Sequence, residues 1–369
     1  MRISVLYWEW KENDQTKHDE VVDQVLAGLI ESGHEATLLG VTNDLKYLVD
    51  AIEEQKPDLV FNLVETFADD DAFEMNIAAV LQILGVRFTG SAPRVMAVRQ
   101  DKALTKKILA FHDVRCPQFA TFDHDNLEFA GKMRFPMLVK PQHGDASAGV
   151  GDSSLVSDLR SLVERVAYIH SDLHDAAIVE EYIEGREFYV CVLGNDPPEV
   201  LPLIEMDFSD LPEGYPHIYG REAKFDEKSV QYSGTNAIIA TDLPPELRNR
   251  IEMTGLAAAQ AMEVSDYARI DIRVALDGTP YVVEVNANPY LESTGAVSLA
   301  ALQAGYSHRA LVNQIAEIAW ERYETGGPER RKEKAVVPIP AAPGPNGQDG
   351  EDDEPEAESQ ADELESEPI

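Results

Sequence analysis

The chain has few cysteines, few basic residues and no long apolar run. Its two cysteines, Cys116 and Cys191, lie far apart and in no metal-type spacing, which predicts ordinary buried thiols rather than a disulfide or a nucleophile. Only 31 lysines and arginines stand against 67 acidic residues among 369, and a formal net charge of −36 argues against nucleic-acid and anionic-membrane partners. No segment approaches the roughly 18 apolar residues of a membrane span. The N-terminal MRISVLYWEW lacks the features of a signal peptide. These absences together predict a cytoplasmic protein.

Acidic residues are concentrated at the C-terminal end. From Asp349 to Ile369 the chain carries eleven acidic residues and no basic one. From about Gly326 onward it is rich in Pro, Gly, Ala and Glu and poor in large apolar residues, so it cannot bury enough surface to offset its ordering entropy. We predict a disordered tail over 326–369, which either only solvates the protein or binds a partner.

The first third of the chain alternates strands and helices, which predicts a parallel sheet covered by helices in an N-terminal α/β domain at 1–92. Predicted strands are Arg2–Tyr7, Glu35–Leu39 and Leu59–Val64, and predicted helices are Asp19–Ser32, Leu45–Gln55 and Glu74–Leu84. The rest mixes elements as an α+β fold would. Further predicted elements are helices at Gln100–Phe111, Ser157–Ala167, Leu243–Met262 and Ser307–Tyr323 and strands at Met137–Lys140, Ala177–Tyr182, Phe188–Gly194 and Glu199–Pro202.

Residues 267–291, YARIDIRVALDGTPYVVEVNANPYL, predict a β-hairpin turning at Asp277-Gly278. If those two residues form the loop, Leu276 pairs with Thr279 and, counting back, Asp271 faces Glu284. Strand alternation then points Glu284 and Asn286 the same way. The predicted buried face consists of Ile270, Ile272, Val274, Val283 and Val285. The side-chain oxygens of Asp271, Glu284 and Asn286 would suit Mg²⁺ that is shared with substrate phosphates. The alternative is an ordinary hairpin with acidic residues on its solvent-exposed face.

Three upstream segments each permit two interpretations. Lys140 ends an apolar strand before the small-residue loop PQHGDASAGVG, which is either a lid over a nucleotide or a flexible surface loop. The bend in IVEEYIEGREFYV crowds glutamates, which either bind a nucleoside or form a solvated edge. Lys224 in REAKF binds phosphate or is a surface lysine. With Lys102 on a preceding helix, the chain has three lysines and then the hairpin's metal ligands. An ATP triphosphate requires such a set of cations and a divalent-metal site.

These segments together resemble the ATP-grasp superfamily, and most closely its D-alanine–D-alanine ligase branch, over about residues 57–320. FTGSAPRVMAVRQDKALTKKIL, MLVKPQHGDASAGVG, IVEEYIEGREFYV and REAKF each resemble a family segment, and YARIDIRV and EVNANP are the most specific. The resemblance implies an N-terminal α/β domain followed by two α+β subdomains, 93–183 and 184–325, that clasp ATP.

The resemblance also implies a role for each matching residue. The implied phosphate ligands are Lys102, Lys140 and Lys224, with Ser147 in the lid; the implied nucleoside contacts are Glu180, Glu181, Ile183 and Glu187; and the implied ligands of Mg²⁺ (two ions, or Mn²⁺ instead) are Asp271, Glu284 and Asn286. Arg269 would stabilise an oxyanion, and Lys140 and Lys224 would act with it in catalysis.

Three segments depart from the family pattern. The chain has LYWEWKENDQTKHDE in place of the family's glycine-rich segment, NLVETFADDDAFE in place of its HG-containing segment, and Tyr290 where the family has Gly after NP. The lid serine falls on Ala146, next to Ser147, and Phe225 replaces the tyrosine of the EAKY segment. The ATP and metal residues are retained while the amino-acid contacts change.

The predicted function is therefore an ATP-dependent carboxylate–amine ligase that joins small amino-acid or peptide substrates through an acyl phosphate. The prediction allows the protein to form a homodimer. One alternative is an ATP-grasp peptide or γ-glutamyl ligase with a substrate other than D-alanine. The other is a non-catalytic ATP-binding module that acts through the acidic tail.

Overall fold

A computed structural model describes residues 1–13, 15–123, 127–129, 133–144 and 147–326. The predicted tail after Gly326, and Ala146 of the predicted lid, lie outside these residues. The contacts of the chain place Met1–Gly327 in one compact unit. The division of this unit into three subdomains stays a prediction.

Strands and helices follow one another along the described part of the chain. In chain order, the strands are β1 (Arg2–Trp8), β2 (Trp10–Glu12), β3 (Gln15–Lys17), β4 (Glu35–Val41), β5 (Leu59–Asn62), β6 (Phe119–Phe122), β7 (Leu127–Phe129), β8 (Met137–Pro141), β9 (Leu155–Val156), β10 (Ala177–Glu181), β11 (Gly185–Leu193), β12 (Glu199–Val200), β13 (Ile204–Asp207), β14 (Asn236–Ile239), β15 (Tyr267–Ala275) and β16 (Pro280–Asn286). The helices are α1 (Glu20–Glu31), α2 (Leu45–Gln55), α3 (Glu74–Ile83), α4 (Pro93–Gln100), α5 (Lys102–Phe111), α6 (Leu159–Asp172), α7 (Arg221–Phe225), α8 (Val230–Gly234), α9 (Pro245–Ala261), α10 (Ala296–Gln303) and α11 (His308–Glu324).

The N-terminal strands form the predicted parallel sheet, in the order β4-β1-β5. Helix α1 begins where Asp19 accepts a hydrogen bond from the Val21 amide, and its apolar face, including Val25 and Leu29, packs in one core cluster with α11. No helix in the described part of the chain is long and apolar enough to cross a membrane.

Two antiparallel sheets follow, and they confirm the predicted α+β architecture. The second sheet has the order β7-β6-β10-β8-β9, and the third has the order β14-β13-β11-β15-β16, with β12 pairing with β11. Strand β11 begins at Gly185, three residues before the predicted start. A Cβ at Gly185 would lie 1.9 Å from the Val274 carbonyl oxygen, so the bend needs glycine for this close approach.

The helix predicted over Gln100–Phe111 is in fact the end of α4 and all of α5. Asp101 separates them because its carboxylate accepts hydrogen bonds from the amides of Ala103 and Leu104, both at 3.0 Å, and so starts a new helix. This cap places Lys102 at the first position of α5.

The hairpin register combines two irregularities that cancel. Ala275, rather than Leu276, is hydrogen-bonded to Thr279, because Gly278 adopts φ +80° in a three-residue loop. A β-bulge at Val283 then restores the count, so that Asp271 faces Glu284 as predicted. The predicted buried face was wrong at one position: Val282, not Val283, packs in the core with Ile270, Ile272, Val274 and Val285.

A buried carboxylate fixes the start of β15. Asp266 is fully buried and accepts hydrogen bonds from the Arg322 guanidinium at 2.9 and 3.0 Å, from the Gly90 amide at 2.9 Å and from the Asn195 side chain at 3.0 Å. Satisfying so many donors with one carboxylate offsets its desolvation. The last helix, the loop at Gly90 and the strand that carries Arg269 are therefore held in one arrangement.

Candidate active site

A cleft between the second and third sheets gathers ten of the twelve predicted site residues. It encloses about 110 Å³. The predicted residues in its wall are Lys102, Lys140, Ser147, Glu180, Glu181, Ile183, Glu187, Lys224, Asp271 and Glu284. Small-molecule sites usually enclose roughly 300–1,000 Å³, so an ATP-sized ligand requires the cleft to widen.

The predicted metal ligands lie on adjacent strands of the third sheet. Asp271 is flanked by Glu284 on β16 and by Tyr189 on β11. The Arg269 guanidinium donates to both oxygens of Asp271, at 2.7 and 3.0 Å. Asn286 faces Arg269 and donates to its carbonyl oxygen at 3.3 Å; neither of these two residues is in the cleft wall.

Burial raises the pKa of Asp271 to about 6, because desolvation outweighs the attraction of Arg269 and the repulsion from Glu284 adds to it. The described residues contain no group of three or more His, Cys, Asp or Glu side chains placed to hold a metal. The donor set is thus two carboxylates and an amide. Such a set fits Mg²⁺, which commonly takes one or two protein carboxylates and completes its shell with phosphates and water.

A buried cluster of three charges forms the wall next to the hairpin. The Glu180 carboxylate lies 2.9 Å from Lys140 Nζ and 3.3 Å from Lys106 Nζ, and all three side chains are at least nine-tenths buried. Burial alone would raise the pKa of Glu180, but the two lysines together hold it below its usual value. Burial lowers the pKa of Lys106. With all three groups ionised, the cluster carries one excess positive charge, which suits an anionic ligand.

The predicted nucleoside contacts lie around an arginine that the sequence analysis does not single out. Arg273 donates to the Ile183 carbonyl at 3.1 Å, to Glu187 at 3.1 Å and to the His217 carbonyl at 2.8 Å. Its side chain also lies over the Tyr182 ring. Two of the predicted nucleoside contacts are therefore positioned by Arg273.

The described residues of the small-residue loop, 141–144 and 147–151, contribute to the cleft wall. Lys102 Nζ donates to the Gly144 carbonyl at 2.7 Å, and Ser147 Oγ donates to the Tyr219 carbonyl at 3.2 Å. At the base of the loop, the His143 ring bonds Asp175 at 2.7 Å, which raises the pKa of His143. Lys224, on α7, lies 5.3 Å from the centre of the Tyr219 ring. Ser147 therefore lies in the cleft wall, and the role of the loop as a lid stays a prediction.

Two site residues were available in the sequence but need tertiary contacts to be recognised. Arg273 shares a face with Arg269 and Asp271 by strand alternation. Lys106 follows Lys102 by one helical turn, and it also donates to the carbonyl of the bulged Val283 at 3.4 Å. Both cysteines are free: Cys191 is buried, which raises its thiol pKa to about 12, and Cys116 is half-buried.

Two antiparallel sheets that enclose a lysine-rich cleft with a carboxylate-bearing hairpin define an ATP-grasp ligase. The family model of the D-Ala D-Ala ligase C-terminus matches residues 108–317, more than half of the chain. The chain belongs to this D-alanine–D-alanine ligase family. The predicted class, an ATP-dependent ligase that forms a carbon–nitrogen bond, is thereby confirmed. Neither alternative, the peptide or γ-glutamyl ligase or the non-catalytic module, is favoured.

Individual relatives include an uncharacterized protein and a D-alanine–D-alanine ligase. An uncharacterized protein of Sinorhizobium fredii, y4sG, is 33% identical over 83% of this chain and 89% of its own length. D-alanine–D-alanine ligase A of Bacillus cereus is 28% identical over 66% of this chain and 75% of its own. The crystal structure of D-alanine–D-alanine ligase from Bacillus anthracis complexed with ATP has a TM-score of 0.69, covers 89% of this chain and 100% of its own, and at 24% identity supports the fold alone.

Proposed function

We propose that the chain uses ATP to activate a substrate carboxylate and then joins it to an amine, with amino acids or peptides as substrates. The proposal is carried by one observation. The lysine-rich wall and the acidic hairpin face the same cleft, and Arg269 lies directly beside the hairpin's buried Asp271.

In this proposal the cationic wall holds the triphosphate. Lys102, Lys140 and Lys224 bind phosphate oxygens, and the loop with Ser147 covers them. The excess positive charge of the Lys106–Glu180–Lys140 cluster adds attraction for phosphate in a chain that is otherwise strongly acidic. The nucleoside lies along Glu180, Glu181, Ile183 and Glu187, on the edge that Arg273 positions.

Asp271, Glu284 and Asn286 would hold divalent metal, which supplies charge neutralisation for the phosphates. The substrate carboxylate forms a bond to the γ-phosphorus, and the bond from that phosphorus to the ADP oxygen breaks. The amine nitrogen then attacks the acyl carbon, phosphate leaves, and the amine proton passes to solvent. Arg269, which lies beside Asp271, would serve as a preorganised cation for the oxyanion that develops. The covering loop keeps water from hydrolysing the acyl phosphate.

The test is ADP release by the full chain with ATP, Mg²⁺ and pooled L- and D-amino acids and dipeptides, together with product mass. Glu284→Gln should lower turnover by at least about a hundredfold with the fold retained, because Glu284 lies half-buried in the cleft and has no ion pair among the described residues. Glu213→Gln makes the same chemical change at an exposed site and should keep activity. Asp271→Asn should also abolish turnover, but it leaves Arg269 without its counterion. The ligase proposal fails if no substrate pair stimulates ADP release and ATP does not raise the melting temperature.

A further inference from the structure

A second cavity lies on the far side of Arg269. It encloses about 300 Å³, and its wall includes Tyr267 and Asn288. Tyr267, Arg269 and Asp271 share one face of β15, because side chains two apart on a strand point the same way. The Tyr267 hydroxyl donates to Asn288, which follows β16 by two residues. Arg269 therefore lies between this cavity and the two hairpin carboxylates, Asp271 and Glu284.

All three segments that depart from the family pattern meet in this cavity. The N-terminal segment contributes Trp8 and Trp10, the segment after β5 contributes Glu65 and Asp71, and the end of the hairpin contributes Tyr290. These segments are far apart in the sequence, so their convergence is a property of the fold. Apart from two single-residue differences in the ATP-facing segments, at Ala146 and Phe225, the departures from the family pattern meet at this one place.

The cavity has an aromatic wall. Tyr7, Trp8, Trp10, Tyr267 and Tyr290 all line it. The Trp8 and Trp10 rings stack with their centroids 5.2 Å apart and their planes at 23°. Such a wall offers apolar ring faces, and the volume reaches the lower end of the roughly 300–1,000 Å³ range of small-molecule sites. A methyl side chain would leave most of this wall without contact.

The charge of the wall has one sign. Asp19, Glu65 and Asp71 line the cavity, and among the described residues no Lys, Arg or His does. Asp19 accepts a hydrogen bond from the Tyr290 hydroxyl at 2.6 Å. Burial, this bond and the nearby Glu65 all raise the pKa of Tyr290, so its phenol stays neutral. The acidic part of the cavity thus favours a cationic group and disfavours a carboxylate, so a ligand with both groups would turn its carboxylate away from this wall.

We propose that this cavity holds the carboxylate-donating substrate, and that this substrate is an amino acid with a free ammonium group and a large aromatic or aliphatic side chain. The inference rests on the proposed function, since it places the substrate carboxylate toward Arg269. The ammonium group then faces the cavity carboxylates, and the side chain lies against the Trp8 and Trp10 rings.

Tryptophan fluorescence tests the cavity without ATP chemistry. Two of the three tryptophans line the cavity, and the third, Trp320, lies elsewhere against Arg87. In full-length Trp320→Phe protein, emission reports on the cavity alone. We expect phenylalanine or leucine, in one enantiomer, to bind at least about tenfold more tightly than alanine, since one methylene is already worth about tenfold or more in an apolar pocket. N-acetyl-phenylalanine, which lacks the ammonium group, should bind at least about tenfold more weakly than phenylalanine.

A variant and a second readout separate the two proposals. Trp10→Ala should weaken phenylalanine or leucine binding about three- to tenfold, the worth of one aromatic contact, and leave the ATP-induced rise in melting temperature unchanged. The inference is overturned if alanine binds as tightly as phenylalanine and leucine, or if acetylation has no effect. If ATP does not raise the melting temperature while the fluorescence selectivity holds, the proposed function fails, and the cavity remains a site for a large amino acid without the role of carboxylate donor.

Discussion

Replacing Glu180 by glutamine tests whether charge balance in the buried cluster stabilises this fold. The carboxylate is the only anion between Lys106 and Lys140 in the cluster, at 3.3 and 2.9 Å, and both lysines are almost completely buried. Glu180→Gln therefore removes the nearest counterion of both buried ammonium groups, and only the more distant Glu187 and Glu284 still attract Lys140. Removing one partner of a buried ion pair typically costs about 3–5 kcal/mol. At about 2 °C per kcal/mol for a chain of this size, we expect the melting temperature to fall by about 6–10 °C.

Lys106→Met is the informative comparison. It removes the excess cation and leaves Glu180 paired one-to-one with Lys140. Burial already lowers the pKa of Lys106, which means that the native protein destabilises the charged form of this side chain. The main loss is the hydrogen bond to the Val283 carbonyl, at 3.4 Å, which is worth about 1 kcal/mol. The melting temperature should fall by about 2 °C.

The melting temperature of both variants is measured by thermal unfolding without nucleotide. Glu184→Gln is the matched control: Glu184 is exposed on the same bend, so this substitution should change the free energy of unfolding by less than about 0.5 kcal/mol. The reasoning is refuted if Glu180→Gln behaves like Glu184→Gln. It is also refuted if Lys106→Met destabilises the protein as much as Glu180→Gln does.

Two further predictions concern the backbone and the base of the lid. Gly185→Ala should lower the free energy of unfolding in urea by several kcal/mol, because the new Cβ would lie 1.9 Å from the Val274 carbonyl oxygen. Gly214 has φ +95° but nothing within 4 Å of a built Cβ, so Gly214→Ala should lower it by only about 1–2 kcal/mol. Equal losses in the two variants would contradict the steric argument. The Asp175 hydrogen bond raises the pKa of His143, so its contribution is fully present below about pH 6.5 and is lost as pH rises through the raised value. His143→Asn should therefore lower stability more at pH 5.5 than at pH 8.5, and a difference that grows with pH would contradict this assignment.

Much of the proposed ATP site follows from local sequence. Strand alternation alone places Arg269 and Asp271 on one face, and an apolar strand that ends at Lys140 before small residues specifies a covering loop. These features depend on neighbours within a few residues. The parallel N-terminal sheet was predictable for the same reason, because apolar periodicity reports which face of each element is buried.

The hairpin shows where local reasoning reaches its limit. Counting from a two-residue turn predicts the right partner for Asp271, but only because the longer loop and the bulge at Val283 shift the register in opposite directions. A bulge depends on its tertiary contacts. In this case Lys106 on α5 donates a hydrogen bond to the carbonyl oxygen of the bulged Val283 on β16. The sequence alone therefore misplaces Val282 and Val283.

The sequence by itself determined the family, the ATP-facing motifs and the three segments in which this chain differs from its relatives. Only the tertiary structure decided that Glu180 is shared by two buried lysines, and that Trp8, Glu65 and Tyr290 line one cavity beside Arg269. The physical reason is that buried charges and cavity walls are assembled from segments far apart in the chain. Periodicity and spacing record which face a residue occupies, whereas packing between elements determines what that face meets.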